Sequence, residues 1–222
     1  MQSKTLNLIM RYVALFVGLS IMSFGIAFSI KADLGTSPVS GPPYVASLVS
    51  KLTLGQATII MHLLFIALQA MMLRRNFELI QLFQIVLALF FGVMNDVAMD
   101  CIAPLSCETY LMKWIFCIIG IVLVAIGVSF EVNAGTIYLA GEGVCVAFSQ
   151  VSKFNFSYVK IGFDIICVAV AVIWSLAALG SVEGVREGTL AAMLLVGLCT
   201  KVTNPAVHKI LPAICQKPQI KE

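Results

Sequence analysis

The sequence predicts an all-α membrane protein with six transmembrane helices, arranged as a 3+3 inverted repeat with two short re-entrant or broken segments. Composition, apolar runs and an internal repeat predict this fold. Hydrophobic residues make up 60% of the 222 residues and charged residues 11%, whereas an average soluble domain has about 25% charged residues. The mean hydropathy is +1.02. We therefore expect the lipid bilayer to surround the chain.

Five uncharged runs have the ~17–25 residues that a helix needs to cross a bilayer. They are residues 12–30, 56–73, 79–95, 114–130 and 165–182. A sixth run, 188–200, is long enough only if its helix continues through Lys201 toward Pro205. The first run is interpreted as a retained helix because it is long and lacks the cleavage site of a signal peptide.

The two halves of the sequence repeat each other. Gly18, Gly25, Phe28 and Ala32 recur 102 residues later as Gly120, Gly127, Phe130 and Ala134, and Gly35, Thr36 and Gly41 recur 100 residues later as Gly135, Thr136 and Gly141. We expect residues 1–104 and 105–222 to form two three-helix repeats of one membrane domain. Because three spans are an odd number, the second copy enters the membrane from the opposite side. Such inverted repeats are common in small-molecule transporters.

The basic residues indicate the orientation of the chain. With six spans and a cytoplasmic N-terminus, 10 of the 14 lysines and arginines fall inside, and 4 fall outside, namely Lys31, Lys51, Lys113 and Arg186. Cytoplasmic loops of membrane proteins carry such an excess of positive charge. We therefore expect both termini to lie in the cytoplasm.

Two segments between spans, residues 31–54 and 131–156, are too long and too apolar for simple loops. Each combines a glycine-containing break with an apolar patch that is too short to span. Irregular backbone at membrane depth survives only where it is buried in protein or lines a wet cavity. The segments are therefore predicted to be re-entrant or broken helices, with interfacial amphipathic loops as the alternative. In the re-entrant arrangement we expect Thr36 and Thr136 to approach each other near the midplane.

These breaks are the first choice for a substrate region. Glycine permits close backbone approach, and a half-helix N-terminus can receive an anionic or polar group. The candidate substrate-binding residues are Asp33, Gly35, Thr36, Ser37, Gly135, Thr136, Glu142 and Gln69. Gln69 and Gln84 either line an aqueous path or bond between helices, and the second role is favoured.

Three carboxylates, Asp96, Asp164 and Glu131, are candidates for coupling proton or cation movement. A charged residue in the bilayer costs at least about 3 kcal/mol and usually faces the bundle interior. For Asp96 the alternative is a carboxylate that caps a helix end. For Asp164 the alternative is a salt bridge at the membrane edge with Lys160, four residues earlier.

The sequence predicts neither an enzyme nor a cofactor, since it contains no G-x-S-x-G, H-E-x-x-H or Walker motif. The net charge of +3 is scattered and gives no nucleic-acid footprint. No metal site is expected, because no Cys-x-x-Cys pair occurs, and His62 is interpreted as a hydrogen-bonded helix residue. Cys101 and Cys107 flank a short loop, where they form either a disulfide or two free thiols.

The run from Ala32 through Asp33-Leu34-Gly35-Thr36-Ser37 to Pro38 resembles a run in the bacterial YczE/YyaS/YitT group of membrane proteins. Further matching positions are Arg11, Gly18-Leu19, Gly25-Ile26-Ala27, Leu54-Gly55, Gln69, Gln84, Phe91-Gly92, Asp96, Lys160-Ile161-Gly162, Asp164, Arg186-Glu187-Gly188-Thr189 and Val196-Gly197. The resemblance covers nearly the whole chain. It implies a location in the bacterial cytoplasmic membrane, and it carries over no substrate or catalytic residue.

The leading functional hypothesis is a small secondary transporter or exporter whose site lies between the two halves. One alternative is a substrate-binding membrane subunit that works with ATPases in trans. Another is a regulatory membrane protein that transports nothing. The expected partners are the lipid bilayer and a small molecule or ion whose identity the sequence does not give, and a homo-oligomer is left open.

Overall fold

Residues 2–210 form a bundle of six long and two short α-helices. The structure is a computed structural model, and it describes residues 2–210. The helices are α1 Gln2–Lys31, α2 Gly41–Val49, α3 Leu54–Leu73, α4 Gln84–Ile102, α5 Tyr110–Ala134, α6 Ala140–Ser152, α7 Phe156–Leu179 and α8 Glu187–Ile210. Short 3-10 helices cover Pro38–Ser40, Arg74–Asn76 and Leu79–Phe83. No β-strand occurs among residues 2–210.

The six long helices confirm the predicted spans. The stretches with the length and hydropathy of a membrane span are Leu6–Lys31, Leu54–Asn76, Leu79–Ile102, Tyr110–Ala134, Phe156–Leu179 and Glu187–Lys209. The sixth helix continues past Lys201 and contains Pro205 within it. The short run 188–200 is therefore part of a helix long enough to cross the bilayer.

Local sequence signals explain where several helices begin and end. At the start of α3, Thr53 and Gln56 form a capping box, in which each side chain accepts a hydrogen bond from the other residue's backbone N–H. Asn155 caps α7 by accepting a hydrogen bond from the N–H of Ser157 at 2.9 Å. Gly135 ends α5 in the left-handed conformation, with φ 57°. Glycine adopts this conformation without a steric penalty.

Helices α1 and α5 cross in close contact at four glycines. A Cβ on Gly18 would lie 2.9 Å from the Gly127 carbonyl oxygen, and a Cβ on Gly25 would lie 2.8 Å from that of Gly120. The later glycine of α1 thus meets the earlier glycine of α5, so the two helices run antiparallel. Small residues allow such close backbone approach between membrane helices.

The remaining helices pack around this pair. Helix α4 packs on α1, and α8 packs on α5, where Ser129 and Thr203 are joined by a hydrogen bond of 2.6 Å. The short helix α2 contacts α7, and the short helix α6 contacts α3. Helix α3 also packs tightly on α4, since a Cβ on Gly55 would lie only 2.1 Å from the Gly92 carbonyl oxygen. Helices α7 and α8 show no comparable packing.

The outer surface of the bundle is apolar. On α8, Leu190 is 63% exposed and Leu194 is 71% exposed. A water-soluble protein rarely exposes such a large contiguous apolar surface, whereas lipid covers it in a membrane. Cys101 and Cys107 are free thiols. The second of the two alternatives for these cysteines is therefore the one observed.

The glycine crossing gives a direct test of packing. We expect Gly25→Ala to lower the free energy of unfolding by about 1–3 kcal/mol, because the added methyl group overpacks the contact with α5. Gly162→Ala is the matched control, since Gly162 is also helical but has no atom within 4 Å of an added Cβ. The control should be neutral or slightly stabilising. Thermal and denaturant unfolding in detergent measures both, and equal stabilities of the two variants would contradict the packing argument.

Candidate functional site

The break after α1 is held by the connection between α7 and α8. Gly35 has φ +96°, and a Cβ at this position would lie 2.3 Å from Thr189 Oγ1 and 2.6 Å from the Arg186 nitrogen. The backbone N–H of Thr36 donates to the Gly184 carbonyl at 3.0 Å. Only glycine fits such a position, because it needs both a positive φ and the absence of a side chain.

Charged residues surround this break. The Asp33 carboxylate lies 2.6 Å from Lys113 Nζ and 3.5 Å from Arg186 Nη1. Lys31 donates to the Ala103 carbonyl at 2.9 Å. Three of the four basic residues predicted to lie outside therefore share one end of the bundle. Asp33, a predicted substrate residue, is engaged in these ion pairs.

The register of α1 against α5 separates the two breaks. Asp33 meets Lys113 near the start of α5, whereas the second break follows the end of α5 at Ala134. At 1.5 Å per residue, these two points on α5 are about 30 Å apart. The hydroxyls of Thr36 and Thr136 form no hydrogen bond to each other, and both are buried without a partner. The prediction that these two threonines meet is therefore wrong.

The two re-entering segments meet a few residues further along. A Cβ on Gly141 would lie 3.3 Å from Val39 Cγ1. Val39 belongs to the 3-10 helix before α2, and Gly141 lies in the first turn of α6. The chain therefore returns into the bundle after each break, and both short helices begin in its interior.

A cavity of about 440 Å³ lies where these segments meet. Its walls come from both halves of the chain. The polar lining residues are Ser37, Ser40, Thr58, His62, Glu131, Tyr138, Glu142, Lys160, Asp164 and Thr200. Most of the remaining lining residues are apolar, among them Met22, Ile26, Phe91, Val124 and Val196. Such a mixture of an apolar wall and a few polar groups is typical of small-molecule binding sites.

The lining positions are paired by the repeat. In the long helices, the lining pairs that are 102 residues apart are Met22 and Val124, Ile26 and Val128, Thr58 and Lys160, His62 and Asp164, and Phe91 and Met193. Val39 and Leu139 are a further pair, 100 residues apart. Equivalent positions of the two halves therefore face one shared space.

Four charged side chains line this space. Lys160 Nζ lies 2.9 Å from Asp164 Oδ1 and 3.8 Å from Glu142 Oε1. Glu131 is only 3% exposed. It lies near enough to Glu142 and Lys160 to interact with both charges. The cavity thus holds three carboxyl groups and one ammonium group.

Glu131 also fixes the start of α6. The Leu139 N–H donates to Glu131 Oε1 at 2.7 Å, and Leu139 is the residue that precedes α6. This bond satisfies a backbone donor that would otherwise be free at a helix N-terminus. Burial and the nearby Glu131 charge raise the pKa of Tyr138, in the connection between α5 and α6. Tyr138 therefore remains a neutral phenol at physiological pH.

His62 contributes a buried imidazole to the cavity. It is 3% exposed, and its ring lies 5.7 Å from the ring of Phe91. Its Nδ1 has no hydrogen-bond partner. The sequence-based interpretation of His62 as a hydrogen-bonded residue therefore does not hold at this nitrogen.

Two predicted site residues have structural contacts outside the cavity. Asp96 accepts hydrogen bonds of 2.7 Å from Thr53 Oγ1 and from the Gly55 N–H, so it links α4 to the first turn of α3. Gln69 donates to Gln84 Oε1 at 3.1 Å and to the Ala140 carbonyl at 3.0 Å. These contacts favour helix capping for Asp96 and bonding between helices for Gln69.

Among the predicted residues, Ser37, Glu142, Glu131 and Asp164 line the cavity. Asp33, Gly35, Thr36, Gly135, Thr136, Gln69 and Asp96 do not line it. The sequence-based site omitted Lys160, His62, Thr58 and Tyr138. The repeat could have identified Thr58 and His62, because they are the positions 102 residues before Lys160 and Asp164.

The fold and the cavity define a multi-pass membrane protein with an internal polar site between two halves. The chain belongs to the family of unknown function DUF6198, which matches residues 9–205. It is similar to the Uncharacterized membrane protein YczE of Bacillus subtilis (strain 168), with 26% identity over 206 residues, 92% of this chain and 90% of the relative. The predicted resemblance is thereby confirmed. No solved structure matches the chain.

The contacts of Asp96 generate a stability test. We expect Asp96→Asn to lower the free energy of unfolding by about 1 kcal/mol, because the amide keeps one acceptor but loses the charge-assisted bonds to the start of α3. Asp100→Asn, at an exposed position on the same helix, should change it by less than about 0.5 kcal/mol. Unfolding in detergent compares the two variants. An Asp96→Asn protein as stable as the Asp100→Asn control would show that the cap contributes nothing.

Proposed function

We propose that this protein is a small secondary transporter of the bacterial cytoplasmic membrane, built as an inverted repeat, with its substrate site in the central cavity. The observation that carries the proposal is the pairing of lining positions across the two halves. A site on the axis that relates two repeats is the usual location of the substrate in such transporters.

The glycine crossing supports inversion rather than a parallel repeat. The repeat makes Gly18 equivalent to Gly120, and Gly25 equivalent to Gly127. Replacing each residue of the Gly18–Gly127 contact by its equivalent gives the contact between Gly120 and Gly25, which is also present. Because α1 and α5 are antiparallel, a two-fold axis that exchanges them lies perpendicular to both helices. For helices that cross a bilayer, this axis lies in the membrane plane.

A difference between the halves supports alternating access. Helix α3 packs tightly on α4 through Gly55 and Gly92, whereas α7 and α8 lack such a contact, although all four helices line the cavity. In a transporter with inverted repeats, the two halves exchange such conformations, and the site opens to one side at a time. No chemical conversion of the substrate is part of this proposal.

The proposed orientation has both termini in the cytoplasm. We expect a cysteine placed at Lys4 to be labelled only from the cytoplasmic side, and one at Lys51 only from the outside, because the basic residues are distributed 10 to 4. Lys217, the matching C-terminal position, lies beyond the described residues. Labelling of whole cells with an impermeant thiol reagent, in a variant without native cysteines, measures both sites. Labelling of the cysteine at position 4 from outside would overturn the orientation.

Transport itself is tested by filling the cavity. Gly197 lines the cavity and has no atom within 4 Å of an added Cβ. We expect Gly197→Trp to abolish flux while the protein remains folded, because the indole occupies the proposed substrate space. Gly162→Trp is the matched control, since Gly162 has equal room but lines a separate apolar pocket. Uptake into proteoliposomes under an imposed pH gradient, measured for each member of a panel of organic and inorganic ions, reports flux whether or not net charge moves.

The outcomes separate the competing functions. Loss of uptake in Gly197→Trp with retention in Gly162→Trp supports transport through the cavity. Uptake that persists in Gly197→Trp places the path elsewhere. Calorimetric binding by the wild-type protein without any uptake, across the whole panel, would overturn the proposal in favour of a binding subunit.

A further inference from the structure

We propose that the cavity binds a hydrophobic organic cation, and that this cation and a proton compete for the carboxyl group of Glu131. The inference rests on the proposed function and gives its substrate class. The observation behind it is the juxtaposition, in one largely apolar cavity, of Glu131, Glu142 and Asp164 with a single basic side chain, Lys160.

The charges of the cavity do not balance without a ligand. Lys160 contacts two carboxylates, Asp164 at 2.9 Å and Glu142 at 3.8 Å, and one ammonium group offsets one negative charge. Glu131 makes no ion pair among the described residues, and its hydrogen bond is to the neutral Leu139 N–H. Uncompensated charge in a low-dielectric site is expensive. A proton on Glu131, or a cation beside it, neutralises the Glu131 charge and leaves a single negative charge shared by Glu142 and Asp164 around Lys160.

The titratable groups that line the cavity with Glu131 come from several elements. Glu142 is in the first turn of α6, Lys160 and Asp164 are on α7, and Tyr138 is in the connection before α6. His62 on α3 lines the same cavity, and its buried Nδ1 is unpartnered. This imidazole nitrogen makes no hydrogen bond with the carboxyl cluster.

An anionic substrate fits this geometry poorly. Anions bind at helix N-termini through free backbone N–H groups. The first turn of α2 contains Pro42 and Pro43, which have no N–H to donate. At α6, the N–H of Leu139 is already occupied by Glu131. The sequence left open an anionic or a polar group at the half-helix starts, and these three backbone positions offer no free N–H to an anion.

The apolar wall selects a hydrophobic ligand. Phe91, Tyr138 and Phe156 line the cavity together with aliphatic residues. Aromatic faces attract organic cations. A volume of about 440 Å³ lies within the range of about 300–1,000 Å³ that accommodates small molecules. The apolar groups of a hydrophobic cation can contact this wall while its positive charge lies near the carboxyl cluster.

Competition at Glu131 couples binding of the cation to release of a proton. When the cation binds beside Glu131, the carboxyl group loses its proton to the solvent, and one positive charge replaces another. Linkage then requires the affinity for the cation to rise by about tenfold per pH unit while Glu131 is protonated in the free protein. In a membrane, the same exchange drives cation movement against proton movement.

Isothermal titration calorimetry of the full chain in detergent tests the ligand class. The probes are tetraphenylphosphonium and tetraphenylborate, which share size and shape but carry opposite charges. We expect the cation to bind at least about tenfold more tightly than the anion, and to release one proton, seen as a dependence of the heat on the ionisation enthalpy of the buffer. Equal or tighter binding of tetraphenylborate, or no binding of tetraphenylphosphonium, overturns the cation class.

Variants test the role of Glu131. Glu131→Gln keeps an acceptor oxygen for Leu139 but cannot exchange a proton, so binding of tetraphenylphosphonium should become weaker and independent of pH. Asp100→Asn, a carboxylate outside the cavity, should retain the affinity and the proton release of the wild type. Unfolding curves verify that both variants are folded. Proton release that persists in Glu131→Gln overturns the exchange at this residue.

The two proposals fail in different ways. Proton-linked binding of tetraphenylphosphonium without movement of this cation, or of any panel ion, in proteoliposomes overturns transport and leaves the ligand class intact. Uptake of anions only, with no uptake of tetraphenylphosphonium, overturns the ligand class and leaves transport intact. Exchange of protons for tetraphenylphosphonium in proteoliposomes, lost in Glu131→Gln, supports both.

Discussion

The close antiparallel contact between α1 and α5 is the constraint on which the rest of the molecule depends. It brings backbone against backbone at Gly18, Gly25, Gly120 and Gly127, where no side chain could be accommodated without displacement. This contact fixes the register of the two helices, and the register sets the ends at which the two breaks occur. The short helices, the cavity between them and the helices that pack outside all take their positions from this pair.

Electrostatics then decides what the interior can hold. Lys160, Glu142 and Asp164 stabilise one another within an apolar surrounding, where removing one partner would leave a charge uncompensated. Such a network adds little net stability, because desolvation offsets most of the attraction. Its value is in specificity, since it gives an apolar cavity a defined charge. Near the opposite break, the ion pairs of Asp33 are more exposed and serve to hold loops together.

Composition and periodicity were sufficient for the helices, because spanning length and apolar character depend on sequence alone. The repeat also identified the glycines of the α1–α5 contact and both breaks. The site was predicted less well, for a geometric reason. Thr36 and Thr136 are equivalent in sequence, yet the antiparallel register separates them, and the contact occurs at Val39 and Gly141 instead. Asp96 and Asp164 are both carboxylates near apolar runs, and only tertiary contacts distinguish a cap from a cavity residue.

The α1–α5 contact also orders events during synthesis. The partner surface of Gly18 lies about 100 residues downstream, so at ~5–20 residues per second α1 waits about 5–20 seconds for it. During this interval the glycine face of α1 is not yet covered by α5. The two halves are repeats in sequence, but the structural centre is shared between them. Neither half contains the glycine surface that its own first helix meets at closest approach, so this central contact forms only after α5 has been made.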